Sequence, residues 1–189
     1  VIILQLSKMR QITEKEKSRL HHLSGQILKH LTYDIIRLQD KPTSVNFIVE
    51  KLLNIKDDFL ASVGYLPDLN GYLEQASKIM DSKITPAQFI KDLLDVRRNK
   101  LERVEKTVSR LLSPSFGYSL FQKVDDDLFG LRSWPSSKLF ETYIQLASKY
   151  RIKDPHRKEI YKEEAIKLLE SGKIDIKDKY PLIQTLRRL

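Results

Sequence analysis

The stretch Thr85-Pro86-Ala87-Gln88-Phe89-Ile90-Lys91-Asp92-Leu93-Leu94-Asp95-Val96-Arg97-Arg98-Asn99-Lys100-Leu101-Glu102-Arg103-Val104-Glu105-Lys106-Thr107-Val108-Ser109-Arg110-Leu111-Leu112 decides the fold class. Thr85 can cap the free N–H groups of a helix, Pro86 suits its first position, and Gln88 can reach back to close a capping box. Ile90, Leu94, Leu101, Val104, Val108 and Leu111 then recur three or four residues apart, broken only at Arg97. That is one apolar stripe on a long helix, close to a heptad seam. Arg97, Arg98, Lys100, Arg103, Lys106 and Arg110 decorate the same helix. A helix with one apolar seam and much positive charge belongs to a protein that binds something.

The same grammar extends in both directions. Thr13 and Glu16 form a second capping box, followed by Leu20, Leu23, Ile27, Leu31, Ile35 and Leu38 on one face, and this helix should stop before Lys41-Pro42. Thr43 or Ser44 opens a helix with Phe47, Ile48, Leu52, Ile55, Phe59 and Val63 inward and Gly64 as a stop. Leu66-Pro67-Asp68 is a turn, and Leu69, Leu73, Ala76, Ile79 and Met80 mark a shorter helix. On the C-terminal side, Ser136 or Ser137 should cap a helix with Leu139, Phe140, Tyr143, Ile144 and Ala147 inward. Asp154-Pro155 should cap another, with Ile160, Ala165, Ile166 and Leu169 inward and Gly172 past its end. A last helix is expected from about Tyr180. No clean β alternation is visible. The reading is therefore all-α: antiparallel helical hairpins forming a bundle-like unit over residues 1–113 and a smaller basic unit over 136–189. Between them, 114–135 holds proline, glycine, serine, five aromatics and Asp125-Asp126-Asp127. It reads as a connector with one short helix around Tyr118 to Val124.

Glu141-Thr142-Tyr143-Ile144-Gln145-Leu146 and Lys179-Tyr180-Pro181-Leu182-Ile183-Gln184 line up at about one helical-hairpin period. With Ala165 to Gly172 between them, this last third resembles a pentatricopeptide or related helical-hairpin repeat, a class whose members read single-stranded RNA. The resemblance spans one full unit and a fragment, and it carries no base-reading residue across.

The chain has 189 residues, 34 basic against 25 acidic, and a net charge of +9. Such an excess points to an anionic partner. It concentrates in two places. Lys91 to Arg110 holds seven basic residues against four acidic, and Lys149 to Leu189 holds twelve against seven. Arg97, Arg98, Arg103, Arg110, Lys149, Arg151, Lys153, Arg157 and Lys158 are the candidate nucleic-acid contacts. Tyr143, Tyr150, Tyr161 and Tyr180 interleave with the second cluster, as tyrosines that stack on bases would. Leu94, Leu101, Val104, Val108 and Leu111, with the single tryptophan Trp134, are the candidate protein-partner contacts.

Catalytic and metal chemistry find little support. The chain has no cysteine, which excludes disulfides and thiolate metal sites and suits a reducing, intracellular compartment. His21, His22 and His30 share one helix without zinc spacing and read as half-exposed. The aspartate triplet lacks EF-hand spacing, and neither G-x-S-x-G nor a glycine-rich phosphate loop occurs. No metal, cofactor or small-molecule substrate is expected. No run of eighteen apolar residues is present, so no membrane span is expected. The start Val1-Ile2-Ile3-Leu4, without methionine, reads as processed or trimmed. The expected role is a non-catalytic binding subunit of an RNA-handling assembly, with a protein–protein adaptor as the alternative.

Overall fold

The computed structural model describes residues 13–56, 59, 68–80, 90, 101–113 and 120–189. Its elements in chain order are α1 (Glu14–Gln39), β1 (Thr43–Ser44), α2 (Val45–Leu53), α3 (Leu69–Met80), α4 (Leu101–Leu112), β2 (Phe121–Asp125), β3 (Leu128–Leu131), α5 (Ser136–Tyr150), α6 (Pro155–Glu170) and α7 (Ile176–Arg187). Helices dominate. The chain divides into two compact units, Val1–Leu131 and Arg132–Leu189.

In the first unit, α1 begins where its capping box predicts. Thr13 Oγ1 accepts from the Glu16 N–H at 3.3 Å, and a Glu16 carboxylate oxygen accepts from the Thr13 N–H at 2.8 Å. The helix ends at Asp40, in the left-handed region at φ 51°, where its N–H donates to the carbonyls of Ile36 and Arg37. Aspartate tolerates that region better than most residues, and Pro42 discourages further helix. Leu23, Ile27, Leu28, Leu31, Ile35 and Ile36 are buried, giving α1 a wide apolar stripe. It packs against α2, α3, α4 and β3. Leu38, at the end of the expected face, stays 43% exposed. His30, expected to be half-exposed, is buried and meets the Tyr72 ring edge-on at 5.3 Å. Asp34 is also fully buried, and its carboxylate holds Arg37 Nε at 3.0 Å.

Ser44 is both the last residue of β1 and the cap of α2, its hydroxyl accepting from the Phe47 N–H at 3.2 Å. That helix ends at Leu53, with Asn54 as its cap, and Ile55 beyond it is buried. The expected turn at Leu66-Pro67 and the Thr85 cap fall outside the described residues. Ile90 is helical and buried, and α4 covers the C-terminal part of the stretch that opens at Thr85, while 91–100 lie outside the described residues.

The all-α expectation needs correction. A small antiparallel sheet runs in the order β1-β3-β2, with Thr43 opposite Phe129 and Phe121 opposite Leu131. The short helix expected around Tyr118 to Val124 is replaced from Phe121 onward by strand β2. Asp126 and Asp127 form the turn, and the buried Asp125 accepts from the Asp126 N–H at 2.9 Å. Between Lys123 and Asp125 the pairing slips by one residue, so Val124 is extra and two consecutive residues, Val124 and Asp125, are buried. This bulge breaks the period-two alternation that would have announced a strand.

In the second unit, Phe140, Ile144, Ala165, Leu169, Ile174 and Leu186 form the core, with Tyr143, Ile166, Leu168, Leu182 and Leu189 packed against it. Helix α5 starts at Ser136, but neither serine caps it. Pro135 holds the cap position without a side-chain bond, and its carbonyl accepts from the N–H groups of Lys138 and Leu139. Helix α6 is capped as expected, Asp154 Oδ1 accepting from the Arg157 N–H at 3.1 Å with Pro155 at the first position. Gly172, at φ 70°, takes the left-handed turn past its end. Helix α7 begins earlier than expected, at Ile176, because Asp175 caps it by accepting from the Lys177 N–H at 3.0 Å. Pro181 therefore sits inside the helix. Ile160, expected inward, is 42% exposed. Five residues before Ala165, it lies about 140° around the helix from the core face.

Candidate nucleic-acid interface

The candidate basic contacts among the described residues fall into two groups, one in each unit. On α4, Lys106 and Arg110 are exposed and four residues apart, lining an open depression with Glu105, Ser109 and Ser113. Arg97 and Arg98 lie outside the described residues, and the side chain of Arg103 is not among those described. Of the candidate partner stripe, Leu94 lies outside the described residues and the side chains of Leu101 and Val104 are not described. Val108 is completely buried, Leu111 is half-buried, and the neighbouring Leu112 is buried. Helix α4 packs on α1, α2 and β2, so Val108 serves the unit's own interior rather than a protein partner. Trp134 is likewise only 9% exposed, with Lys138 Nζ 4.9 Å from its ring centre. Its indole is already covered, and it is not an exposed anchor.

The second group is built by the turn between α5 and α6. From Lys149 to Lys158 the chain carries five basic residues against Asp154 alone. Helix α5 ends at Tyr150, Asp154 fixes the start of α6, and Arg151-Ile152-Lys153 forms the apex between them. All three apex residues are exposed, Ile152 to 91%. Among the described residues neither Arg151 nor Lys153 makes an ion pair.

Below the apex the cations are engaged. Arg157 Nε lies 3.2 Å from Asp154 Oδ2, its Nη1 donates to the Tyr150 hydroxyl at 3.3 Å, and its guanidinium sits 5.3 Å from the Tyr150 ring centre. Lys149 Nζ is 4.9 Å from the same ring centre. Such cation–aromatic contacts contribute about 0.5–1 kcal/mol each at exposed sites. Lys158 pairs with Glu159 at 3.4 Å. Arg157, named from the sequence as a phosphate contact, is thus a strut that ties α6 to the end of α5.

The tyrosines also differ from expectation. Tyr161 stacks between Tyr143, at 6.2 Å and 17°, and Tyr150, at 5.8 Å and 22°. Three of the four interleaving tyrosines therefore stack on one another, where an unpaired base would otherwise stack. Burial, and then the negative charge of Glu164, pushes the Tyr143 hydroxyl above the usual tyrosine range. Tyr180 alone remains open, 72% exposed on α7.

Sequence reasoning found the cations of the apex but not Ile152. An isoleucine beside a helix end reads as one more apolar helical residue. Its exposure follows from where α5 stops and Asp154 starts α6. The Asp154-Pro155 pair was the available signal, since it leaves only four residues between the end of α5 and the start of α6.

Among the described residues no group of three His, Asp or Glu could hold a metal ion, and no helix is long and apolar enough to cross a membrane. No protein-family model, curated protein or solved structure matches the chain.

Proposed function

We propose that this protein is a non-catalytic binding subunit of an RNA-handling or ribonucleoprotein assembly and that it meets phosphate at the α5–α6 turn. The observation that carries the reading is the apex itself: Arg151 and Lys153 are exposed, two residues apart and without an ion pair among the described residues. Lys149, two residues before Arg151, is also exposed but lies over the Tyr150 ring, so the reading rests on the apex pair. Cations already committed to acids gain little from a phosphate, whereas uncommitted ones release counterions when they bind it. Asp154 is held by Arg157 and by the start of α6, which removes the one acid of the turn from competition.

The test is a double reversal, Arg151→Glu with Lys153→Glu, that leaves Arg157 in place. RNA affinity should fall by at least about tenfold at low salt, and the slope of log K against log salt should shrink by about 0.7 per lost contact with a single strand. Stability should hardly change, because exposed charges contribute little to it. Unchanged affinity, or no RNA binding by the unaltered protein at low salt, sinks the reading. A specific observation then favours the second one, a protein–protein adaptor. Tyr180 and Ile183, three residues apart on one side of α7, are 72% and 37% exposed.

A further inference from the structure

Helix α4 carries a pattern that phosphate binding at the α5–α6 turn does not use. Lys106, Ser109, Arg110 and Ser113 follow one another at intervals of three, one and three residues, which puts them on one side of the helix. All four line the same open depression, together with Glu105. Lys106, Ser109 and Arg110 are exposed and Ser113 is half-buried. Neither Lys106 nor Arg110 makes an ion pair among the described residues.

Ser113 is the member of this group that chemistry can change. It directly follows Leu112, the last residue of α4, and its N–H donates to the Arg110 carbonyl at 3.2 Å. It is the only serine in the chain followed directly by proline, Pro114, and Arg110 stands three residues before it. Ser-Pro is the dipeptide that one large class of protein kinases reads. A phosphate there brings a charge of about −1.5 to −2 and three acceptor oxygens. By itself a helix C-terminus disfavours such a charge, because its free carbonyls are partially negative. The side chains reverse that balance. A side chain at a helix end lies over the preceding turn, so a phosphate on Ser113 leans back over Arg110 and Ser109, about 4.5–6 Å along the axis. The Arg110 guanidinium can donate two N–H groups to it and the Ser109 hydroxyl another, while Lys106 adds charge one turn further back. The helix end acts as about half a negative charge, Arg110 as a whole positive one. Glu105, the acid of the depression, is about 12 Å away along the axis.

We infer that Ser113 is a phosphorylation site of the Ser-Pro class, and that Arg110 and Lys106 are a built-in clamp for its phosphate. The step transfers the γ-phosphoryl group of a nucleoside triphosphate. The bond from Ser113 Oγ to phosphorus forms, and the bond from that phosphorus to the β–γ bridging oxygen breaks. The nucleoside diphosphate leaves, and the hydroxyl proton passes to the kinase's catalytic aspartate. The phosphate takes both cations away from any other anion and turns the depression from net positive to net negative. None of this depends on RNA binding.

The experiment incubates the full chain with ATP and a purified Ser-Pro-directed kinase, and maps the labelled residues by tandem mass spectrometry. Ser113 should be labelled close to completion. Ser113→Ala should remove that label and leave any at Thr85, which is also followed by proline. Phosphorus NMR then follows the second ionisation of the phosphate, which for a phosphoserine lies near pH ~6. Held by Arg110, it should fall by about half a unit or more, whereas the helix end alone would raise it. Arg110→Gln should return it to about 6 or above, and Lys106→Gln should shift it less in the same direction. Both side chains are exposed, so neither variant endangers folding. Failure of the kinase to label Ser113 overturns the site. A labelled Ser113 that ionises at or above about 6, or equally with and without Arg110, overturns the clamp.

Discussion

Phe140→Ala is the sharpest probe of what holds the second unit together. The side chain is 1% exposed and sits in a core whose other buried members are Ile144, Ala165, Leu169, Ile174 and Leu186. Two of these, Ala165 and Leu169, belong to α6 and one, Leu186, to α7, so the core that buries Phe140 draws on all three helices. Truncating a buried phenylalanine to alanine costs about 3–5 kcal/mol, the lost transfer energy plus the cavity left behind. The unit spans Arg132–Leu189. At about 0.05–0.15 kcal/mol per residue, a unit of that length is stable by only about 3–9 kcal/mol. The substitution should therefore remove about a third or more of its stability. Trp134 is the only tryptophan in the chain and lies in this unit, so its fluorescence during urea unfolding isolates the right signal. With a urea slope of about 1 kcal/mol per molar, the midpoint should fall by about 3 M or vanish. Phe140→Leu, which keeps most of the volume, should cost less than about 1.5 kcal/mol and keep the unit folded in water. A midpoint shift below about 1 M for Phe140→Ala would refute the assignment of this core, since no fully packed aromatic side chain is lost so cheaply.

Two further outcomes follow from single groups. Thr13→Ala removes the hydroxyl that accepts from the Glu16 N–H, leaving only the reciprocal bond from the backbone N–H of residue 13, and should cost about 1 kcal/mol, read as a lower melting temperature with faster amide exchange at Glu16. No change in either readout would mean that the box does not persist in solution. Tyr143 should make the second unit sensitive to alkali. Burial and Glu164 raise its hydroxyl above the ordinary 10.0, so the folded state holds the proton more tightly than the unfolded chain. The resulting stability is complete below pH 10.0 and is lost as the pH rises through the raised value. Between pH 9 and pH 11 the unaltered protein should therefore lose more stability than Tyr143→Phe, with parallel losses refuting the assignment.

The elements legible in the sequence are those whose signals are local. The Thr13 and Asp154 caps each need only one hydroxyl or carboxylate three residues from an N–H, and both form where expected. The stripe from Leu23 to Ile35 is legible because burying one helix face imposes its period on the chain. The sheet was hidden for a different reason. Thr43 and Phe129 become partners across more than eighty residues, and β1 is only two residues long, too short to carry any periodicity. The Val124 bulge then scrambles the alternation of β2, and the turn is Asp126-Asp127 rather than a glycine-containing hairpin pair. Aromatic and β-branched residues on both sides of that turn, Phe121, Val124 and Phe129, were the surviving signal.

At the candidate interface the sequence displayed charge but not commitment. Arg151, Lys153 and Arg157 look alike in the chain, yet Arg157 is held by Asp154 and Tyr150 while the other two stand at the apex. What separates them is the direction each side chain takes once Asp154 has fixed the first turn of α6. Arg157 is three residues past the cap, which returns it to the cap's own side, whereas Arg151 and Lys153 precede the helix and make no ion pair among the described residues. The same geometry leaves Ile152 in water and folds the tyrosines against each other. A reading from composition would assign the stacking to tyrosine and the phosphates to every cation. The turn instead divides the labour, with tyrosines and Arg157 supporting the apex and Arg151, Ile152 and Lys153 presented by it. It follows that Arg157 variants should act on binding through stability and apex variants without it, a distinction that charge alone could not make.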